Sequence, residues 1–160
     1  MSRGFNQLTL AILKPDVQRI GIFREYVEQK IRDSNLKILC HGEFRLSRSD
    51  AERFYAEHKG KFYYDRLVNH MICGPLGVYV LQGTNAIARW RALLGPTKVY
   101  KAVVLEPESL RGSLGLTDTR NGFHGSDSES TALREICFFF PSFPIDALTN
   151  GSANAHQQTE

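Results

Sequence analysis

Three cysteines in 160 residues are too few and too scattered for a disulfide framework. Cys40, Cys73 and Cys137 form no C-x-x-C pair and share no metal-ligand spacing with histidine, which argues against a zinc site. Each sits among apolar neighbours and is expected to be a small buried hydrophobe in a reducing compartment. Long hydrophobic runs are also missing. Stretches such as Ile136 to Phe140 fall far short of the ~20 residues that cross a bilayer. So little chain precedes Leu8 that a signal peptide is not expected before the fold begins. Nor does charge of one sign dominate. A formal net charge of +3, without a basic stripe, argues against a nucleic-acid binder but suits a small polyanion if the cations cluster. Neither an internal repeat nor a second composition is visible. A single domain over residues 1–148 is expected, with a polar, disordered tail over 149–160.

What is present is a regular alternation of strand and helix patterns. Leu8 to Leu13 reads as a buried strand that Pro15 stops. Phe23, Val27 and Ile31 follow at helical spacing. Leu36 to Leu46 reads as a second strand, and Ser49 with Glu52 as a capping box for a helix carrying Phe54 and Tyr55. A short helix is expected over Tyr64 to Met71, and a strand over Gly77 to Leu81. Asn85 then reads as the cap of a helix whose buried face holds Trp90. From Gly95 to Arg120 the periodicity fails, so a long loop is expected. A short strand over Gly122 to His124 and a helix starting near Ser126 or Ser128 complete the pattern. The order predicts an α+β fold: a ferredoxin-like βαββαβ antiparallel sheet with helices packed over it.

The local sequence most suggestive of chemistry is Asn121-Gly122-Phe123-His124-Gly125-Ser126-Asp127-Ser128. Two glycines let the backbone turn closely beside an imidazole, and imidazole is a usable nucleophile near neutral pH. A phosphate-handling site around His124 needs cations, orienting donors and a group that fixes one ring tautomer. Lys14, Arg91 and Arg111 supply charge, Thr97 and Asn121 supply hydrogen bonds, and Glu135 can accept from one ring nitrogen. His41, His58, His70 and His156 share no spacing and read as surface or structural residues.

Taken together, Leu10-Ala11-Ile12-Leu13-Lys14-Pro15-Asp16, Arg91 through Thr97, Leu110-Arg111-Gly112 and the His124 segment resemble, in order, the signatures of nucleoside diphosphate kinases. The resemblance covers about residues 8–140, and the segment from Arg111 to Asn121 is similar to a divergent branch of that family. It implies that His124 carries a phosphoryl group from ATP or another nucleoside triphosphate to a nucleoside diphosphate, in ping-pong fashion. It implies phosphate and ribose contacts from Lys14, Tyr55, Arg91, Thr97, Arg111 and Asn121, with Lys14 and Asn121 serving catalysis as well as binding. Tyr63 would stack on the base and Leu67 add apolar contact, while Glu135 and Ser126 orient the histidine. Read from the residues alone, Phe62 or Tyr64 could equally be the exposed ring, Tyr55 a packing residue, Asn121 a turn cap, and Ser126 a helix cap opposite Glu129.

The resemblance also implies Mg²⁺ held by phosphate oxygens and water, and a homo-oligomer. A lengthened loop between Thr97 and Arg111 and the absence of the family's usual C-terminal segment leave a hexamer open. Asp118 stands where the family places an apolar residue near the base. The implied compartment is the cytoplasm, with mitochondria as the alternative. A nucleotide-binding regulatory or scaffold protein with little turnover is the competing functional reading.

Overall fold

The structure, a computed structural model, describes residues 6–150. Strand β1 (Asn6–Leu13) pairs antiparallel with β3 (Leu76–Thr84) on one side and with the short β4 (Phe123–Gly125) on the other. Strand β2 (Lys37–Phe44) lines the far edge of β3, giving the order β2-β3-β1-β4. This is the ferredoxin-like arrangement expected from the pattern, with β3 separating β1 from β2. The central strand reads as an unbroken apolar run because it is buried on both faces. Leu8, Leu10 and Ile12 enter one core, while Ala11 and Leu13 enter the other.

Helices seal each face. Helices α2 (Gly21–Asp33) and α5 (Ala86–Leu94) bring Val27, Ile31, Trp90 and Leu94 onto the face of Ala11 and Leu13. Helices α3 (Arg48–Phe54), α4 (Tyr64–Ile72) and α8 (Glu129–Phe139) cover the other with Phe54, Val68, Met71, Ile136 and Phe139. A short helix, α1 (Pro15–Gln18), follows β1, with Pro at its first position.

Several local expectations give way. The region 95–120 is not an irregular loop. It folds into α6 (Val99–Leu105) and α7 (Leu110–Leu114), the latter capped by Ser109 Oγ accepting from the Gly112 N–H. Periodicity missed them because they are five and seven residues long. Helix α3 is capped by Ser47, not by a Ser49–Glu52 box. Asn85 precedes α5 in a left-handed conformation, φ 53°, and makes no side-chain cap. The Ile87 N–H donates to Gln7 Oε1 from β1 instead, so a neighbouring strand supplies the acceptor. β2 ends at Phe44 rather than Leu46.

The cysteines are also corrected. Cys73 and Cys137 are exposed and Cys40 is half-buried, all with free thiols. On α8 the buried positions fall at Ala132, Glu135, Ile136 and Phe139, which turns Cys137 outward. A further helix, α9 (Ile145–Asn150), runs past the expected domain limit, and the tail from 151 onward and His156 lie outside the described residues.

Two glycines shape the approach to His124. Gly122 has φ +85°, and a Cβ there would stand 2.8 Å from Val17 Cγ2. A Cβ on Gly125 would stand 2.8 Å from Trp90 Cδ1 and 3.0 Å from its Nε1, the atom that donates to the His124 carbonyl. Gly125→Ala must therefore push the buried indole out of place. Urea denaturation should show a loss of about 1–3 kcal/mol, and an unchanged midpoint would contradict the close packing.

Candidate active site

Three elements converge beside the C-terminal half of β1, the stretch that β4 flanks. Ser126 extends the β1–β4 ladder by one residue, its N–H donating to the Leu10 carbonyl at 3.4 Å. Its Oγ accepts from the Leu10 N–H at 3.3 Å and donates to Glu135 Oε1 at 2.7 Å. Ser128, not Ser126, caps α8, its Oγ accepting from the Thr131 N–H. Glu135, buried on α8, places Oε2 2.6 Å from His124 Nε2. A carboxylate oxygen accepts, so Nε2 carries the ring hydrogen and Nδ1 keeps its lone pair. The ring is held edge-on between Phe54, centroids 5.2 Å apart, and Tyr55 at 6.3 Å. Trp90 pins the backbone of the same residue from the opposite face.

His124 opens into a cavity of about 830 Å³. Lys14, Tyr55, Arg91, Thr97, Arg111 and Asn121 all line it. Lys14 sits just past β1, only 3% exposed, its backbone N–H bonded to the Gly122 carbonyl and its Nζ 3.4 Å from Asn121 Oδ1. Burial, and secondarily the charge of Arg111, lowers its pKa to about 8, with Asp16 opposing the shift. Asn121 is more than a turn cap. Its Oδ1 also accepts from the Phe123 N–H, and its Nδ2 donates to the Asp118 carbonyl.

Arg111 is buried, and its guanidinium donates to the carbonyls of Gly95 and Phe123. Desolvation first, then Arg91, lowers its pKa to about 10, which leaves it cationic at neutral pH. Arg91 projects from α5 into the cavity, away from buried Trp90 as the helical spacing required, and Thr97 is exposed at its rim. Tyr55 is buried, with its phenol pKa pushed up by desolvation and next by Glu135, so the hydroxyl keeps its proton.

The long segment is delivered by two ties. Arg111 bonds across to Gly95, and Asp118 Oδ1 accepts from the Val99 N–H at the start of α6. At the outer end of the cavity stand Phe62, Tyr63 and Leu67. Tyr63 is half-buried and its hydroxyl lies 3.0 Å from His58 Nδ1, while Phe62 is 89% exposed. Tyr64 is not among the lining residues. His58 was not among the sequence candidates, and Phe62 entered only as an alternative to Tyr63 for the exposed ring. Neither carries a distinguishing spacing, since the turn at Ala56–His58 that aims His58 at Tyr63 leaves no periodic trace.

Among the described residues no group of three or more His, Cys, Asp or Glu could enclose a metal ion. Glu135 is already committed to His124 and Ser126, and Asp118 and Asp127 line the cavity separately. Such a site suits Mg²⁺ that keeps its waters and arrives on phosphate oxygens.

Two outcomes test this geometry. Ser126→Ala leaves the Leu10 N–H and Glu135 Oε1 without their partner and should cost about 1–3 kcal/mol in urea denaturation. Wild-type stability in that variant would remove Ser126 from the relay. For Lys14, a folded pKa of about 8, lowered from 10.5, means the buried cation costs stability below pH 8. That cost is relieved as the pH rises from about 8 to 10.5. A phosphate in the cavity would hold the proton on. Nucleotide binding near pH 8 should thus take up a fraction of a proton, read by calorimetry in buffers of different ionisation enthalpy, and Lys14→Met should abolish the uptake.

Residues 7–145 match the family model described as nucleoside diphosphate kinase. Nucleoside diphosphate kinase 6 of Xenopus tropicalis is 51% identical over 137 residues, covering 86% of this chain and 76% of that protein. The solved nucleoside diphosphate kinase of Aquifex aeolicus superposes with a TM-score of 0.80 at 34% identity, covering 85% of this chain and 96% of the other. A halophilic nucleoside diphosphate kinase from Halobacterium salinarum, solved in complex with CDP, superposes with a TM-score of 0.77 at 30% identity, over 85% and 88% of the two chains. The chain belongs to the nucleoside diphosphate kinase family.

Proposed function

We propose that the protein transfers the γ-phosphate of a nucleoside triphosphate to a nucleoside diphosphate through a phosphorylated His124. The observation that carries this reading is His124 itself. It is a single imidazole with Nε2 bonded to a buried carboxylate, facing a cavity whose cationic lining includes Lys14, Arg91 and Arg111. Nδ1 would attack the γ-phosphorus in line, forming the N–P bond as the bond to the β-bridging oxygen breaks. The nucleoside diphosphate then leaves, and an acceptor diphosphate reverses the step in the same cavity. Phosphoryl transfer asks a protein mainly for position and charge. Lys14 and Arg111, both buried, and Arg91 would meet the phosphate oxygens, while Glu135 stabilises the imidazole as it gains positive character. Mg²⁺, bound to the nucleotide, would supply further neutralisation of phosphate charge.

The base would lie at the outer end, between Phe62, Tyr63 and Leu67. Stacking without a set of edge-reading donors gives broad base tolerance. The CDP held by the Halobacterium salinarum relative supports a nucleotide in this fold. Self-association is part of the same proposal. Leu105 of α6, 70% exposed in a cavity it lines with Ala92 and Leu93, is apolar surface that a second copy would cover.

Incubation with γ-labelled ATP should give an acid-labile phosphoenzyme that discharges onto an added nucleoside diphosphate. His124→Ala should retain nucleotide binding and lose both steps. A wild-type protein that binds nucleotide but never acquires label would instead establish the regulatory or scaffold reading.

A further inference from the structure

A second cluster of reactive side chains lies outside the phosphate cavity. Cys73, exposed at the C-terminal end of α4, has its Sγ 3.7 Å from His70 Nδ1. His70 is buried, and its Nε2 lies 2.9 Å from Asp16 Oδ1. The Asp16 side chain is only 9% exposed, and its second oxygen, Oδ2, is buried without a hydrogen-bond partner. A carboxylate buried in this way needs a proton donor or a cation; His70 supplies the hydrogen bond and Lys14 a nearby positive charge. Accepting from Nε2–H, Asp16 leaves the lone pair of Nδ1 directed at the thiol. The order is nucleophile, base and base-orienting acid.

Cations line the approach to the thiol. Cys73 and His70 open into a cavity of about 1250 Å³ that Arg66 and Arg120 also line. Asp118 in the same lining and the carbonyl end of α4 oppose the negative sulfur. An exposed thiol in a mainly cationic setting beside a base is where reactive cysteines occur.

We propose that Cys73 is a reactive thiol that His70 and Asp16 activate toward hydroperoxides and other soft electrophiles. The thiol proton passes to His70 Nδ1. The sulfur pair then attacks one peroxide oxygen, forming S–O as O–O breaks. The departing oxygen takes the proton from His70 and leaves as water or an alcohol. Sulfur is oxidised by two electrons to a sulfenic acid, and the peroxide is reduced by two. Asp16 is a positioning residue in this step and His70 the proton acceptor. The chemistry is separate from His124 and does not depend on the proposed phosphoryl transfer.

The test uses Cys137, equally an exposed free thiol, as an internal standard. The folded protein is treated near neutral pH with limiting iodoacetamide, and separately with hydrogen peroxide and dimedone. Mass spectrometry then reads the labelling rate at each cysteine. Cys73 should react at least roughly tenfold faster than Cys137. In His70→Gln the ratio should fall to near one while the Cys137 rate stays unchanged, which also reports that the fold survives. If that variant unfolds, Asp16→Asn, which keeps shape and removes charge, must lower the ratio instead. Equal rates at the two cysteines in the wild type, or a ratio that ignores both variants, would overturn the proposal.

Discussion

The buried carboxylate of Glu135 is the constraint on which the site depends. It is almost fully enclosed on α8, and an enclosed carboxylate is tolerated only when both oxygens find donors. Ser126 satisfies one and His124 the other. Because Ser126 is in turn bonded through both its backbone and side chain to Leu10, the orientation of the imidazole is referred to the central strand of the sheet. A histidine fixed in this way has one available nitrogen and little rotational freedom. That is the preorganisation a phosphoryl carrier needs, since no reorganisation is then left to the moment of reaction.

The same economy explains why charge gathers where it does. Lys14 is held by the turn after β1, at a cost in desolvation that depresses its pKa. Arg111 is held by two carbonyls and by proximity to Arg91 also feels repulsion. Without an anion the arrangement works against itself. On the proposed function a phosphate would relieve both penalties at once, setting binding against the stability of the empty protein in this corner of the fold. The stable cores on either side of β1 supply what the site gives up.

How much of this was legible depended on whether a signal was local. The β1 run, the Trp90 face of α5 and the small residues flanking His124 are patterns within a few positions, and they located strand, helix and turn. The joint order of Lys14, Arg91, Arg111, Asn121, His124 and Glu135 exposed the site, and the structure brings all six to one cavity. What stayed hidden was supplied across the fold. Gln7 replaces Asn85 as the acceptor at α5, and Asp118 tethers Val99 from nineteen residues away. Likewise His70 meets Asp16 only because α4 packs beside the turn after β1. Short helices such as α6 and α7 leave too few turns for a period to register. The cysteines were misjudged because apolar neighbours in sequence do not fix which side of a helix is buried, as Cys137 beside Ile136 illustrates.

The central claim is that the Glu135 carboxylate holds His124 in a single tautomer with Nδ1 free. Long-range ¹H–¹⁵N correlation spectra of the nucleotide-free protein at mildly alkaline pH read this directly, without any turnover. The account predicts a His124 signal with Nε2 protonated and Nδ1 bare, replaced by a mixture of tautomers in Glu135→Ala. A wild-type ring protonated on Nδ1, or already averaged between the two forms, would contradict it.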